Sequence, residues 1–86
     1  MNQPSNIQIF TTPNCSFCRV VKNYFQSLNI DFEEVNLSQN QQGFEWLIEK
    51  TGQTGVPVTV FNNSQFVIGW QKQLLDDQLR QLALIK

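Results

Sequence analysis

The only two cysteines of this 86-residue chain are Cys15 and Cys18, and the segments on either side decide what that pair can be. Upstream, Ile7-Gln8-Ile9-Phe10-Thr11 is rich in β-branched and aromatic side chains and reads as a short strand. Downstream, Phe17, Val20, Val21, Tyr24, Phe25 and Leu28 recur at i, i+3, i+4, i+7, i+8 and i+11. That spacing predicts a helix over about Ser16–Leu28 with one stripe to bury against a sheet. The pair therefore stands at a strand-to-helix turn, on the first turn of a helix.

Backbone N–H groups of a first helical turn have no intrahelical acceptors, and the macrodipole puts partial positive charge there. A thiolate at Cys15 accepts those donors, and Arg19 and Lys22 on the next turn add positive charge. Residues three apart on a helix are neighbours, so Cys18 reaches Cys15 to close a disulfide. On this reading Cys15 is the exposed nucleophile and Cys18 the more buried resolving thiol. Lowering a thiol pKa from about 8.5 to about 6 raises its thiolate fraction at neutral pH roughly 30-fold. Weaker nucleophilicity takes back about tenfold, so leaving-group quality and the placement of Cys18 matter more than the speed of attack.

Two other uses of such a pair compete with this one. A purely structural disulfide contributes little: so short a loop restricts the unfolded chain by about 2 kcal/mol, against about 5 for a loop of about 100 residues. Cys-x-x-Cys is also half of many zinc sites, but with no histidine and no third cysteine a Cys/His site requires a second chain. Redox chemistry is the stronger reading, with no metal bound by one chain.

One domain over residues 1–86 is expected, with residues 1–6 frayed. A hydrophobic fraction of 41% with seven phenylalanines supplies a modest core. Net charge of −1 and a pI near 5.1 give no electrostatic case for nucleic acid or an anionic membrane surface. No apolar run approaches the roughly 18 residues that span a bilayer, and the first six residues lack the character of a signal peptide. The expectation is a cytoplasmic monomer, in a compartment that keeps dithiols reduced.

Ile30–Leu37 reads as a second strand, with Phe32 on one face and Val35 and Leu37 on the other. Ser38-Gln39-Asn40-Gln41 has the form of a capping box and opens a helix carrying Phe44, Leu47, Ile48 and Thr51 to Gly52. Asn29 is a suitable C-cap for the first helix. Two strands joined through such a helix run parallel by a right-handed crossover. Val56–Phe61 is the most β-prone segment; Asn62-Asn63-Ser64 turns it into Gln65–Gly69. A last helix from about Gln71 to Leu84 buries Leu75, Leu79 and Leu82, leaving Asp76, Asp77, Arg80 and Lys86 as a solvated face.

The order β-α-β-α-β-β-α, with Cys15-Ser16-Phe17-Cys18 after the first strand and Val56-Pro57 before the third, resembles the glutaredoxins of the thioredoxin fold. The resemblance covers the chain from about Asn6 onward. It implies an α/β fold with a four-stranded mixed sheet and three helices. It also implies that Pro57 is cis and faces the cysteines, and that the Val56 backbone pairs with bound substrate as an added strand. Phe17 stands where most members carry tyrosine, keeping the aromatic body without the hydroxyl. The activity implied is thiol–disulfide oxidoreduction on protein or glutathione mixed disulfides, with no built-in cofactor and with glutathione or a flavin-dependent thioredoxin reductase as electron source.

Departures from the family pattern bear on the reductant. Gly55 replaces the threonine of the usual Thr-Val-Pro triplet. Glutathione users carry Gly-Gly followed within three residues by an aspartate; here the sequence is Gly69-Trp70-Gln71-Lys72-Gln73. Gly69 and Trp70 are thus candidate substrate contacts, and Trp70 reads equally as an aromatic at the core edge. A glycine followed by an aromatic looks more like the small redoxins, some of which are reduced by thioredoxin reductase and supply ribonucleotide reductase. A third alternative, from relatives that hold an iron–sulfur cluster between two chains, is a cluster-binding role.

Overall fold

Side-chain alternation along the central strands sets the layering. In β1 (Ile7–Thr11), Ile7 and Ile9 join one apolar cluster and Phe10 joins another on the opposite face. The computed structural model describes residues 6–85. Its further elements are α1 (Ser16–Ser27), β2 (Glu33–Asn36), α2 (Gln41–Thr51), β3 (Val58–Phe61), β4 (Gln65–Ile68) and α3 (Lys72–Gln81). The strand order is β2-β1-β3-β4. β1 and β2 run parallel, with Thr11 opposite Asn36, while β3 is antiparallel to both β1 and β4. This is the expected four-stranded mixed sheet with three helices.

Ile7, Ile9, Phe61 and Val67 of the sheet pack with Val21 and Phe25 of α1 and Leu75 and Leu79 of α3. Phe10, Val35, Val58 and Val60 pack on the other face with Leu47 of α2, and the Trp46 ring stacks on Phe10 with centroids 5.5 Å apart. As the alternation required, Phe32 sides with the first cluster and Val35 and Leu37 with the second.

Boundaries differ from expectation for local reasons. The cap of α2 is Asn40, whose Oδ1 accepts the Gly43 N–H at 2.7 Å, and not Ser38, whose hydroxyl donates to the Asn36 side chain. Asparagine two residues nearer the first apolar turn outcompetes the serine of the capping box. β2 is only Glu33–Asn36, because Asn29 turns left-handed after α1 and the chain needs Ile30 to Phe32 to reach the sheet. β3 begins at Val58, not Val56, since Pro57 has no N–H for the ladder. β4 closes at Ile68, because Gly69 turns away with φ +82°. α3 ends at Gln81, where the left-handed Ala83 sends its N–H to the Arg80 carbonyl. Asp76 is not part of a solvated face: it is 7% exposed. The expectations for residues 1–5 and Lys86 lie outside the described residues.

Candidate active site

One end of the sheet gathers the segments singled out from sequence. Phe10 pairs with Val58 and Val58 with Ile68, so the next positions, Thr11, Pro57 and Gly69, lie side by side at that edge. The Gly69 N–H donates to the Pro57 carbonyl at 2.7 Å. Thr12-Pro13-Asn14 leaves the same edge toward the cysteines. The Val56–Pro57 peptide bond is cis, as the resemblance implied; Pro57 is buried and Val56 half-buried, just outside the β3 ladder.

Cys15 is the N-cap of α1, with extended backbone at φ −108° and ψ 111°. Its Sγ accepts the Cys18 N–H at 3.1 Å, the bond that cap side chains make to the third helical position. The two cysteines are joined as a disulfide, with Cα atoms 5.2 Å apart. Cys15 is half-buried, whereas Cys18 is 1% exposed on the stripe it shares with Val21 and Phe25. Only the first sulfur is therefore placed to meet a partner from outside. Phe17, between them, is 59% exposed.

Of the two cations expected to favour the thiolate, Lys22 has its ammonium 3.0 Å from Glu34 Oε2, which also accepts from the Thr11 hydroxyl at 2.8 Å. The bond from Lys22 holds the Glu34 carboxyl below its ordinary range; burial opposes this and the Thr11 bond adds to it. Arg19 is exposed. The helix-end donors are thus the part of the thiolate argument that the geometry carries furthest.

Trp70 is half-buried against the α1/α3 cluster, edge-on to Tyr24 with centroids 5.4 Å apart. Next to it Lys72 Nζ lies 2.7 Å from Asp76 Oδ2 and 5.3 Å from the Tyr24 ring centroid. The Tyr24 hydroxyl donates to the other oxygen of Asp76. Burial pushes the Asp76 carboxyl up, but the bonds from Lys72 and Tyr24 outweigh it and hold it below the usual range. Burial and the bond to Asp76 push the Tyr24 phenol up, and Asp76 raises Lys72. Sequence reasoning missed this group and the Thr11–Glu34 bond. Tyr24 and Asp76 are 52 residues apart, and no local pattern pairs them.

The glutaredoxin family profile matches residues 7–67. A glutaredoxin-like 8.6 kDa protein from the rubredoxin operon of Clostridium pasteurianum is 34% identical over 70 residues, covering 81% of this chain and 92% of its own length. The solved thioredoxin-like protein BC3987 superposes with a TM-score of 0.78 at 25% identity, covering 85% of this chain and 99% of its own. NrdH-redoxin from Escherichia coli, described as a glutaredoxin-like protein with a thioredoxin-like activity profile, superposes with a TM-score of 0.72 at 21% identity, covering 83% of this chain and 91% of its own.

Proposed function

The chain belongs to the glutaredoxin family, and from that premise we propose that it is a dithiol thiol–disulfide oxidoreductase with Cys15 as nucleophile and Cys18 as resolving thiol. The observation that carries the reading is the asymmetry of the pair: an accessible sulfur capping the helix, bonded to a sulfur that solvent does not reach. In the reduced protein the Cys15 thiolate attacks a client disulfide. A Cys15–client sulfur bond forms, the client disulfide breaks, and its second sulfur leaves as a thiolate that takes a proton from water. Cys18 then loses its proton and attacks Cys15 Sγ, releasing the client thiol and leaving the Cys15–Cys18 disulfide. A low pKa at Cys15 makes it a better leaving group when a reductant thiol displaces it from a mixed disulfide during re-reduction. The exposed Phe17 ring and the half-buried Val56 backbone flank the approach to Cys15, for apolar contact and strand-type pairing with the client.

Reductant choice follows from position 72. Glutathione-using relatives put a carboxylate about there to meet the tripeptide's amino group; this chain puts an ammonium there, bonded to Asp76 behind it. That favours a protein reductant over glutathione, in a reducing cytoplasm. The deciding experiment is NADPH consumption coupled through glutathione and its reductase, set beside NADPH with a thioredoxin reductase. Faster turnover in the second system supports the reading; no disulfide reduction in either removes it.

A further inference from the structure

Thr59 is fully buried in β3, and its hydroxyl Oγ1 has no hydrogen-bond partner. Leaving a buried hydroxyl unpaired is unfavourable, and native interiors keep few such groups. Where it points suggests its use. Val58 and Val60 belong to the cluster with α2, Phe61 to the cluster with α1 and α3, so alternation puts Thr59 on the α1 side. On that side α1 buries Cys18, Val21 and Phe25. The rings of Phe25 and Phe61, with centroids 6.4 Å apart, tie the helix to the strand at one point.

From Phe25 back to Cys18 the helix rises about 10 Å, at about 1.5 Å per residue. Along the strand, Phe61 to Thr59 is about 7 Å and Phe61 to Pro57 about 13 Å. Cys18 thus stands over the stretch between Thr59 and Pro57. Ile9 and Val67, the neighbours of Thr59 on β1 and β4, have aliphatic side chains and offer it no acceptor. Of the charged groups on the adjoining helices, Lys22 pairs with Glu34, Asp76 with Tyr24 and Lys72, and Arg80 with Asp77, while Arg19 is exposed.

We propose that Thr59 is a positioning residue for Cys18: in the reduced protein its hydroxyl donates a hydrogen bond to the Cys18 sulfur and holds it ready for the resolving step. In the oxidised form no sulfur accepts the Thr59 hydroxyl, because the Cys18 sulfur is tied to Cys15 at the helix cap; breaking that bond frees it to meet the hydroxyl. Reduction turns the same sulfur into a thiol or thiolate, and the thiolate is the stronger acceptor. The step served is the second one above. The Cys15–Cys18 bond forms as the Cys15–client bond breaks, the electron pair leaves on the client sulfur, and the proton that Cys18 loses ends on that departing thiol. The client disulfide is the oxidant, and the cysteine pair supplies both electrons. This assignment rests on the thiol–disulfide reading.

The test is the equilibrium of the Cys15–Cys18 pair with dithiothreitol, read as the reduced-to-oxidised ratio. Thr59→Val keeps the volume and loses the hydroxyl, and is expected to lower the ratio about two- to tenfold, the range of one hydrogen bond. Thr59→Ser restores the hydroxyl and is expected within about twofold of wild type on the same hydrogen-bond scale. An unchanged ratio in Thr59→Val, or an equal fall in Thr59→Ser, overturns the proposal. Urea unfolding of the oxidised proteins separates it from a packing role. Valine relieves an unpaired hydroxyl, so its midpoint should match or exceed wild type, and a lower one makes Thr59 structural and also overturns the proposal. No turnover enters these readouts. A wild type that reduces no disulfide would remove the functional reading, while the equilibrium still decides on Thr59.

Discussion

Tyr24→Phe removes one hydroxyl from the bridge between α1 and α3 and should be among the costlier conservative changes in the chain. Phenylalanine keeps the ring that meets Trp70 and Phe25, so packing is preserved and the loss is the bond to Asp76. Asp76 has two donors. The Lys72 side chain is 58% exposed, so that pair is screened by solvent and contributes the smaller share. The phenol reaches a carboxylate that is itself buried, and a hydrogen bond to a charged group there contributes about 1.5–3 kcal/mol. The expected loss is therefore about 2 kcal/mol at neutral pH, a large part of the roughly 5–10 kcal/mol that holds a domain of this size. With a urea slope of about 1 kcal/mol per molar, the midpoint should fall by about 2 M. The pH dependence carries a sign. Asp76 titrates lower folded than unfolded, so its contribution is complete above the unfolded value near 3.8 and is lost as pH falls through the folded one. The gap between wild type and Tyr24→Phe should accordingly narrow between neutral pH and about pH 2.5. A midpoint drop below about 0.5 M, or a gap of equal size at both pH values, would refute the reasoning.

Cys15→Ser should abolish disulfide reduction, while Cys18→Ser should accumulate a mixed disulfide at Cys15; trapping through Cys18 instead would reverse the roles. The pH dependence of Cys15 alkylation in the reduced protein should give a midpoint below the free-thiol value of about 8.5, and a midpoint at or above it would discard the helix-end argument. Lys22→Gln should move that midpoint little, because Glu34 already engages the ammonium. Trp70→Gly with Lys72→Asp should raise glutathione-coupled turnover, with affinity rising by up to about 10- to 150-fold from one charged hydrogen bond. A wild type that already matches the double variant would show that neither residue limits glutathione.

Elements set by local pattern were legible in the sequence. The 3.6-residue stripe of α1, the left-handed turns at Asn29 and Gly52 and the hairpin with Asn62 and Asn63 at φ +55° and +59° all lie where the residues direct them. The cysteine pair at a strand-to-helix junction was legible for the same reason: its geometry is local. Properties that depend on partners distant in the chain were hidden. Asp76 looked like one more acid on a solvated helix, because nothing near it in sequence announces Tyr24. Lys22 looked like a free cation until the parallel pairing of β1 and β2 brought Glu34 to it. Thr59 in Val-Thr-Val reads as a β-branched filler, and only the packed sheet reveals a hydroxyl with nothing to bond.

The acid on α3 carries the same lesson into specificity. Asp76 lies one helical turn beyond position 72, where glutathione-using relatives hold their carboxylate, and one turn changes both its surroundings and its work. At the front of the helix an acid faces a groove and attracts a ligand's ammonium. A turn deeper it is buried, and both its oxygens already hold donors from this chain. On the proposed reading, Lys72, left at the front, presents positive charge to the amino group of an incoming glutathione, and like charges a few ångströms apart repel even through water. Moving a second acid to position 72 would therefore do two opposing things at once. It would create a counter-charge for the tripeptide, and it would take from Asp76 the cation that offsets its burial. Gain in glutathione turnover and loss of folding stability should appear together in Lys72→Asp, and Lys72→Gln should show a smaller stability loss with little gain in turnover. A Lys72→Asp variant that gains turnover at unchanged urea midpoint would show that Asp76 does not need its lysine.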